Sequence, residues 1–440
     1  VNRQINAVTN GAPDGHQYRR TMSRGIAVLG LAFITLFSFV GVQAATQQVA
    51  GAAPVGATVN WNDATPSNPA DSPAARDGAS MATEPNGNVI LFGGYAPNGS
   101  SHFDDTWIWD GSTWTDVTPV NSPPARDFAS MVYDSTTDTV VLFGGNGDSG
   151  HLNDTWIWDG TTWTDAAPVN SPPTRDRAVM ADDSTNGNVV LFGGLDDTAS
   201  PMGDTWTWDG TNWTDAAPAT SPSARSDASM TEDSSASNNV VLFGGQDAGG
   251  IVGDTWTWDG TNWTDAAPAT SPTARSVAAM SYDSTRNKVV LFGGYDASGA
   301  ASDTWNWDGT DWTDVSPTTS PPARGSASMA EDTVNGNVVL FGGYDSITDT
   351  YYADTWTLLD VPTTPTISPI PASSNYGAVF TPTVVTNGDG ATSVTSSTPS
   401  TCTVDLVTGD VTFVGLGTCS LTAHVAAGTS YAAADGVPQD

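Results

Sequence analysis

Apolar residues recur along this chain in short bursts. The clearest burst is Val140-Val-Leu-Phe-Gly-Gly145, an apolar run that stops on a glycine pair. Leu-Phe-Gly-Gly occurs six times, at Leu91, Leu142, Leu191, Leu242, Leu291 and Leu340, with spacings of 51, 49, 51, 49 and 49 residues. Around each copy lie three further pieces; in one unit they span 125–134, 154–160 and 162–165. Each piece is short, rich in β-branched and aromatic residues, and bounded by Gly, Asn, Asp, Ser or Pro. That composition predicts four antiparallel strands per unit, named a to d in chain order. No stretch after Ala45 keeps a helical period. Strand-only units with a period near fifty fit a propeller or a β-solenoid. Solenoid coils are shorter per turn, so the propeller is favoured.

A Gly-Gly pair closing strand b, an aromatic strand c and a Trp in strand d resemble the kelch repeat. The resemblance spans residues 57–360 and implies the fold rather than the job, since one fold serves many functions. Asp-Thr-Trp opens strand c six times, at Asp105, Asp154, Asp204, Asp254, Asp303 and Asp354. The strand-d Trp also appears six times, but Trp61 precedes the first strand a and the last unit lacks a strand d. A six-bladed kelch-like propeller closed by the strand around residues 58–61 is therefore expected, with both free edges hidden. The regular placing of the 17 Trp favours packing between blades over sugar-stacking platforms. Arg-x-x-Ala-x-Met recurs in strand a, and its small residues and Met read as axial core.

The flanks differ. Residues 1–44 carry Arg19, Arg20 and Arg24 before an apolar run, then small residues ending at Ala44, the pattern of a signal peptide with an upstream extension. Met22 is a candidate start, and an uncleaved anchor is the competing reading. Residues 45–56 are read as a linker. Residues 361–371 form a Pro/Thr-rich linker. Residues 372–440 contain no Trp, Lys or Arg and resemble a bacterial immunoglobulin-like module, a β-sandwich. The chain ends soon after the last strand-like piece, which points to a missing strand or a truncated fragment. The chain's two cysteines, Cys402 and Cys419, both lie here and are expected to form a disulfide. The whole is all-β.

Lys plus Arg number 13 against 48 Asp plus Glu, a formal net charge of −35. Such a surface argues against nucleic acid or an anionic membrane as partner. No membrane insertion is expected after signal cleavage. Calcium binding is one use the aspartates could serve; no other cofactor is expected.

Kelch-like propellers include enzymes of the galactose oxidase type. That resemblance implies copper held by two His and a Tyr cross-linked to a Cys. Here the propeller has no Cys, and its two histidines, His102 and His151, sit on loops, so the oxidase reading fails on its ligands. A faint likeness to the sialidase aspartate box at 205–213 reads better as a tight c–d turn. No serine-nucleophile, phosphate-loop or zinc spacing is present.

Chain topology places the b–c and d–a connections on one face and the a–b and c–d turns on the other. The b–c loops differ among units on a nearly constant frame, which is where binding usually resides. The candidate binding face therefore includes Tyr95, Tyr295 and Tyr344 with His102 and His151. It also includes Arg76, Arg126, Arg175, Arg225, Arg275 and Arg324, one in each Ser-Pro-x-x-Arg connection. These arginines fit either an anion site or pairing with the Asp of Asp-Thr-Trp, and equal counts on one face favour the pair. The function expected is secreted, non-catalytic binding of an extracellular glycan or protein. The alternatives are a carbohydrate-active enzyme using loop aspartates and a calcium-stabilised structural repeat. The ligand's identity and the oligomeric state are not encoded in any motif.

Overall fold

The computed structural model describes residues 59–97, 101–234 and 239–440. The expected signal segment 1–44 and the linker 45–56 lie outside the described residues. Six four-stranded antiparallel sheets follow the a-b-c-d order. In blade 2 the strands are Ser130–Asp134, Thr139–Phe143, Thr155–Trp158 and Trp163–Asp165. The sixth blade takes its strand d from the start of the propeller. Val59–Asp63 pairs antiparallel with Thr355–Asp360, with Trp61 opposite Leu358. The fold is a six-bladed, kelch-like propeller closed by its first strand.

The four-residue apolar run of strand b is fully buried because it lies inside each blade, between strands a and c. Its Val-Val-Leu-Phe residues face both neighbouring blades, which explains the continuous apolar run. In the core between blades 1 and 2, Ile90 and Phe92 meet Val140, Leu142, Trp158 and Trp163. Each strand-d indole lies edge-on to the strand-b Phe of the preceding blade, as Trp163 does to Phe92 at 5.5 Å. Burying an aromatic side chain of this kind contributes about 1.5–3 kcal/mol.

The first glycine of each pair has a positive φ, +64° at Gly144, and a Cβ there would lie 2.7 Å from the Arg175 carbonyl oxygen of the next blade. The second glycine, Gly145, donates its N–H to that same carbonyl at 2.9 Å. The pair is thus a backbone seam between blades, and only glycine allows both the φ and the approach.

Strand a starts later than the sequence pattern suggests. Arg126–Asp127 forms a separate short strand that joins the b–c hairpin of its own blade, Asn146–Gly147 and Gly150–His151. Strand a begins only at Ser130. The break falls at Phe128, whose φ is +49°.

Beyond Asp360 the chain forms small antiparallel sheets. Thr366–Ser368 pairs with Thr383–Val385, so the strands of this region begin inside the stretch read as a linker. Ile367 is the reason, since it is buried with Val394, Cys402, Val411, Leu421 and Ala423. Cys402 and Cys419 are disulfide-bonded. The region docks on the a–b/c–d side of blade 6, where Ala432 donates to the Asp360 carbonyl at 2.7 Å. Among the described residues, no helix is long and apolar enough to cross a membrane.

Candidate functional site

The repeated signature on the b–c face is tied into the frame by its own bonds. The guanidiniums of Arg76, Arg126, Arg175, Arg225, Arg275 and Arg324 grip Asp105, Asp154, Asp204, Asp254, Asp303 and Asp354 in two-pronged pairs. Their N–O distances are 2.5–2.8 Å. A planar guanidinium matches a carboxylate in this way. Each Nη1 also donates to the first glycine's carbonyl, at 2.9 Å from Arg126 to Gly144. The Nε donates to a carbonyl two residues back, as from Arg126 to Pro124. The indole of Asp-Thr-Trp donates to its own Asp at 2.7 Å, as Trp156 does to Asp154. Burial pushes the Asp154, Asp204, Asp254 and Asp303 carboxyls up, but bonding to the arginine and the indole outweighs it and holds them below the usual range.

The six arginines are at most 2% exposed. They clamp strand c to the d–a connection and leave no guanidinium edge for a ligand. The pairing reading describes them, and the anion-site reading has no accessible cation among them.

Two residues after each arginine the backbone turns left-handed. The residues are Gly78, Phe128, Arg177, Asp227, Val277 and Ser326, with φ from +48° to +61°. Each donates its N–H to the carbonyl of the equivalent residue in the preceding blade. The six distances, 2.8–3.2 Å, close a ring around the channel mouth. A non-glycine left-handed residue is strained, and here the ring of bonds holds it. The channel holds an open space of about 180 Å³, lined by the ring residues, by Ala and Ser, and by the six strand-a methionines.

The ring's side chains differ in all six blades, so the mouth is asymmetric. The Phe128 ring lies over Gly78, where a Cβ would sit 2.8 Å from it. Arg177 stacks on Phe128 at 3.9 Å and bonds Asp227 at 2.9 Å. Burial opposes the Arg177 charge, but Asp227, Asp176 and Asp127 more than offset it and raise its pKa. Phe128, Arg177 and Asp227 thus roof the side of blades 2–4. Sequence reasoning missed these three. The available signal was one register position that differs in every copy of an otherwise constant motif.

The histidines straddle blade boundaries. His102 Nδ1 is 2.9 Å from Asp148, and its Nε2 is 3.7 Å from the buried Asp127. His151 sits likewise between Asp197 and Asp176, at 3.6 and 3.7 Å. The two histidines are on successive blades and do not converge on one point. Among the described residues, no three His, Cys, Asp or Glu side chains gather to hold a metal ion. Tyr95 is buried edge-on against His102 at 5.2 Å. Tyr295 and Tyr344 are partly exposed, and the Tyr295 hydroxyl donates to the Tyr344 carbonyl at 2.6 Å. The structure therefore splits the sequence-derived set. The arginines and Tyr95 are internal, whereas Tyr295 and Tyr344 line the face.

The sequence model of the KLHDC2/KLHL20/DRC7 Kelch-repeats domain matches residues 56–171. That stretch runs from the closing strand through blade 2, and the remaining blades repeat its sheet. The region is a kelch-repeat β-propeller. No curated protein matches the chain.

Proposed function

We propose that this kelch-repeat protein acts outside the cell as a non-catalytic binder of a glycan or a protein through its b–c face. One observation carries the reading. The blades share their ion pairs, seams and most of their core, yet the b–c hairpins vary in length and sequence and the ring position differs in every blade, all on one face. Variable loops on a rigid frame are the usual form of a recognition surface. The C-terminal region supports it, because it docks on the opposite side and leaves this face open. We assign that region to an immunoglobulin-like spacer, and residues 1–44 to a cleaved signal for export, which suits a chain with a disulfide.

The test is binding of the exported protein to glycan and protein arrays, with and without calcium. Exchanging the b–c hairpin of blade 5 for that of blade 4 is expected to change the bound set while the propeller stays folded. Binding that ignores the b–c hairpins and follows c–d turn variants instead would overturn the assignment of the face.

A further inference from the structure

The rim of the b–c face has two unlike halves. Around blades 2–4 the mouth is roofed by the Phe128, Arg177 and Asp227 chain. Around blades 5 and 6 the ring position carries only Val277 and Ser326, and the surface above them is built from tyrosines. The Tyr295 ring packs against Gly325, where a Cβ would be 2.4 Å from it. The packing of the face thus uses an absent side chain to seat an aromatic one. Beside it, Tyr344 and Tyr351 come together at 4.6 Å with a 45° tilt. The two rings touch and form one half-buried aromatic surface. The Tyr344 hydroxyl is held by Asp349 at 2.8 Å, which fixes the ring's orientation. Ile347, 72% exposed, caps the outer end and reaches over Gly299 of blade 5.

The charge of this half is one-sided. Residues 295–302 and 344–353 contain Asp296, Asp345 and Asp349 but no Lys, Arg or His. Arg324, which lies below, is buried, paired with Asp354 and covered by the Tyr352 ring at 3.7 Å. A ligand here meets aromatic faces and carboxylate acceptors, with no partner for an anion. Aromatic rings bearing a polar edge offer apolar contact and orientation at low entropic cost. Sugar C–H faces fit the rings, and sugar hydroxyls are donors for the carboxylates. Acidic sugars would meet repulsion at close range.

We propose that the rim of blades 5 and 6 is a subsite for an uncharged, hydroxyl-rich glycan. One sugar packs on the outer surface of the Tyr344–Tyr351 pair and its hydroxyls donate to Asp349 and Asp296. The inference rests on the b–c face reading above and names its ligand class and position.

The probes are neutral gluco-, manno- and galacto-oligosaccharides, set against sialyllactose and oligogalacturonate, titrated calorimetrically into the full chain. At least one neutral series is expected to bind. Tyr351→Ala should weaken it at least tenfold and Asp349→Asn severalfold, while Thr161→Ala, on a c–d turn of the other face, should leave affinity unchanged. Equal melting curves for all variants exclude misfolding as the cause. Preference for the acidic probes, or no binding of any neutral probe, overturns the inference. So does neutral binding that survives Tyr351→Ala but is lost in His151→Ala; that result leaves the face assignment standing. Neutral binding lost only with Thr161→Ala overturns both.

Discussion

The Trp61 indole donates to the Thr304 hydroxyl at 2.9 Å, across 243 residues of chain. The same bond joins each strand-d Trp to the Asp-Thr-Trp threonine of the blade before it, as Trp163 does to Thr106 and Trp114 to Thr355. The bond from Trp61 makes the series circular. Removing residues 45–62, or Trp61→Ala alone, should lower stability clearly. The single substitution is expected to cost about 3–5 kcal/mol, the range for a fully buried aromatic. Denaturant unfolding measures it, and an unchanged midpoint would contradict a structural role for the closing strand.

The arginine clamps predict that Arg225→Ala is costly. It leaves Asp254 half-buried without its partner, at a typical cost of about 3–5 kcal/mol. Asp254→Asn and Asp204→Asn should destabilise as well. Chemical denaturation of the three variants checks this; a stable Arg225→Ala protein that loses an acidic ligand would return the arginines to the binding surface.

Acidity at the opposite mouth gives a pH dependence of the other sign. Burial pushes the Asp182 carboxyl up, against a hydrogen bond from Ser135, and Glu232 and Asp134 add to the rise, to about 7. A raised carboxyl stabilises the fold fully below its unfolded value of 3.8, and that contribution is lost as pH rises through about 7. The Glu232 and Glu331 carboxyls are also raised, chiefly by burial. The arginine-bound aspartates have depressed values, so their contribution is present above the unfolded value of 3.8 and fails only in stronger acid. Melting temperature should therefore fall between about pH 4.5 and about pH 8. Asp182→Asn should flatten that fall and be the more stable protein at the alkaline end, by at most about 4 kcal/mol. Parallel pH profiles for the two proteins would refute the linkage.

Blade 6 departs from the pattern at Leu358. In other blades a buried Trp stands at this place, and Trp258 and Trp307 donate to Asp183 and Asp233 of the preceding blade. The corresponding acceptor for blade 6 is Asp283, and Arg286 pairs with it instead, donating also to Asp360 at 2.7 Å and to the Leu358 carbonyl at 3.3 Å. Arg286→Ala should destabilise by about 3 kcal/mol. Adding Leu358→Trp should recover part of the loss, because the new indole offers Asp283 a donor. A double-mutant cycle measures the coupling, and strict additivity would dismiss the substitution of one donor for the other.

The strands, the blade number and the ring closure were legible because burial on both faces writes an apolar run into strand b and leaves Trp61 unmatched. The clamp was legible from counting Arg and Asp on one face. The left-handed break was not. Gly, Phe, Arg, Asp, Val and Ser share no propensity for that conformation; the ring of inter-blade bonds imposes it, and those bonds span separate blades. The tyrosine rim was half legible. Tyr295 and Tyr344 stood out as loop aromatics, but their difference from Tyr95 depends on what packs above each ring, which is settled in three dimensions. Arg286 was invisible as a substitute donor because the vacancy it answers lies at Leu358, in the next blade.

Closure by Val59–Asp63 also decides how the propeller would bear tension. Val59 lies opposite Asp360, so the chain enters and leaves at the same end of one antiparallel pair. A pull applied between the two ends would part this pair one residue at a time, like a zipper, instead of loading its five pairings together. The load would fall first on the Val59–Asp360 pairing, and the other pairings would follow in turn. A propeller joined this way is a durable support for a surface pressed from above and a poor link in a chain pulled from both ends.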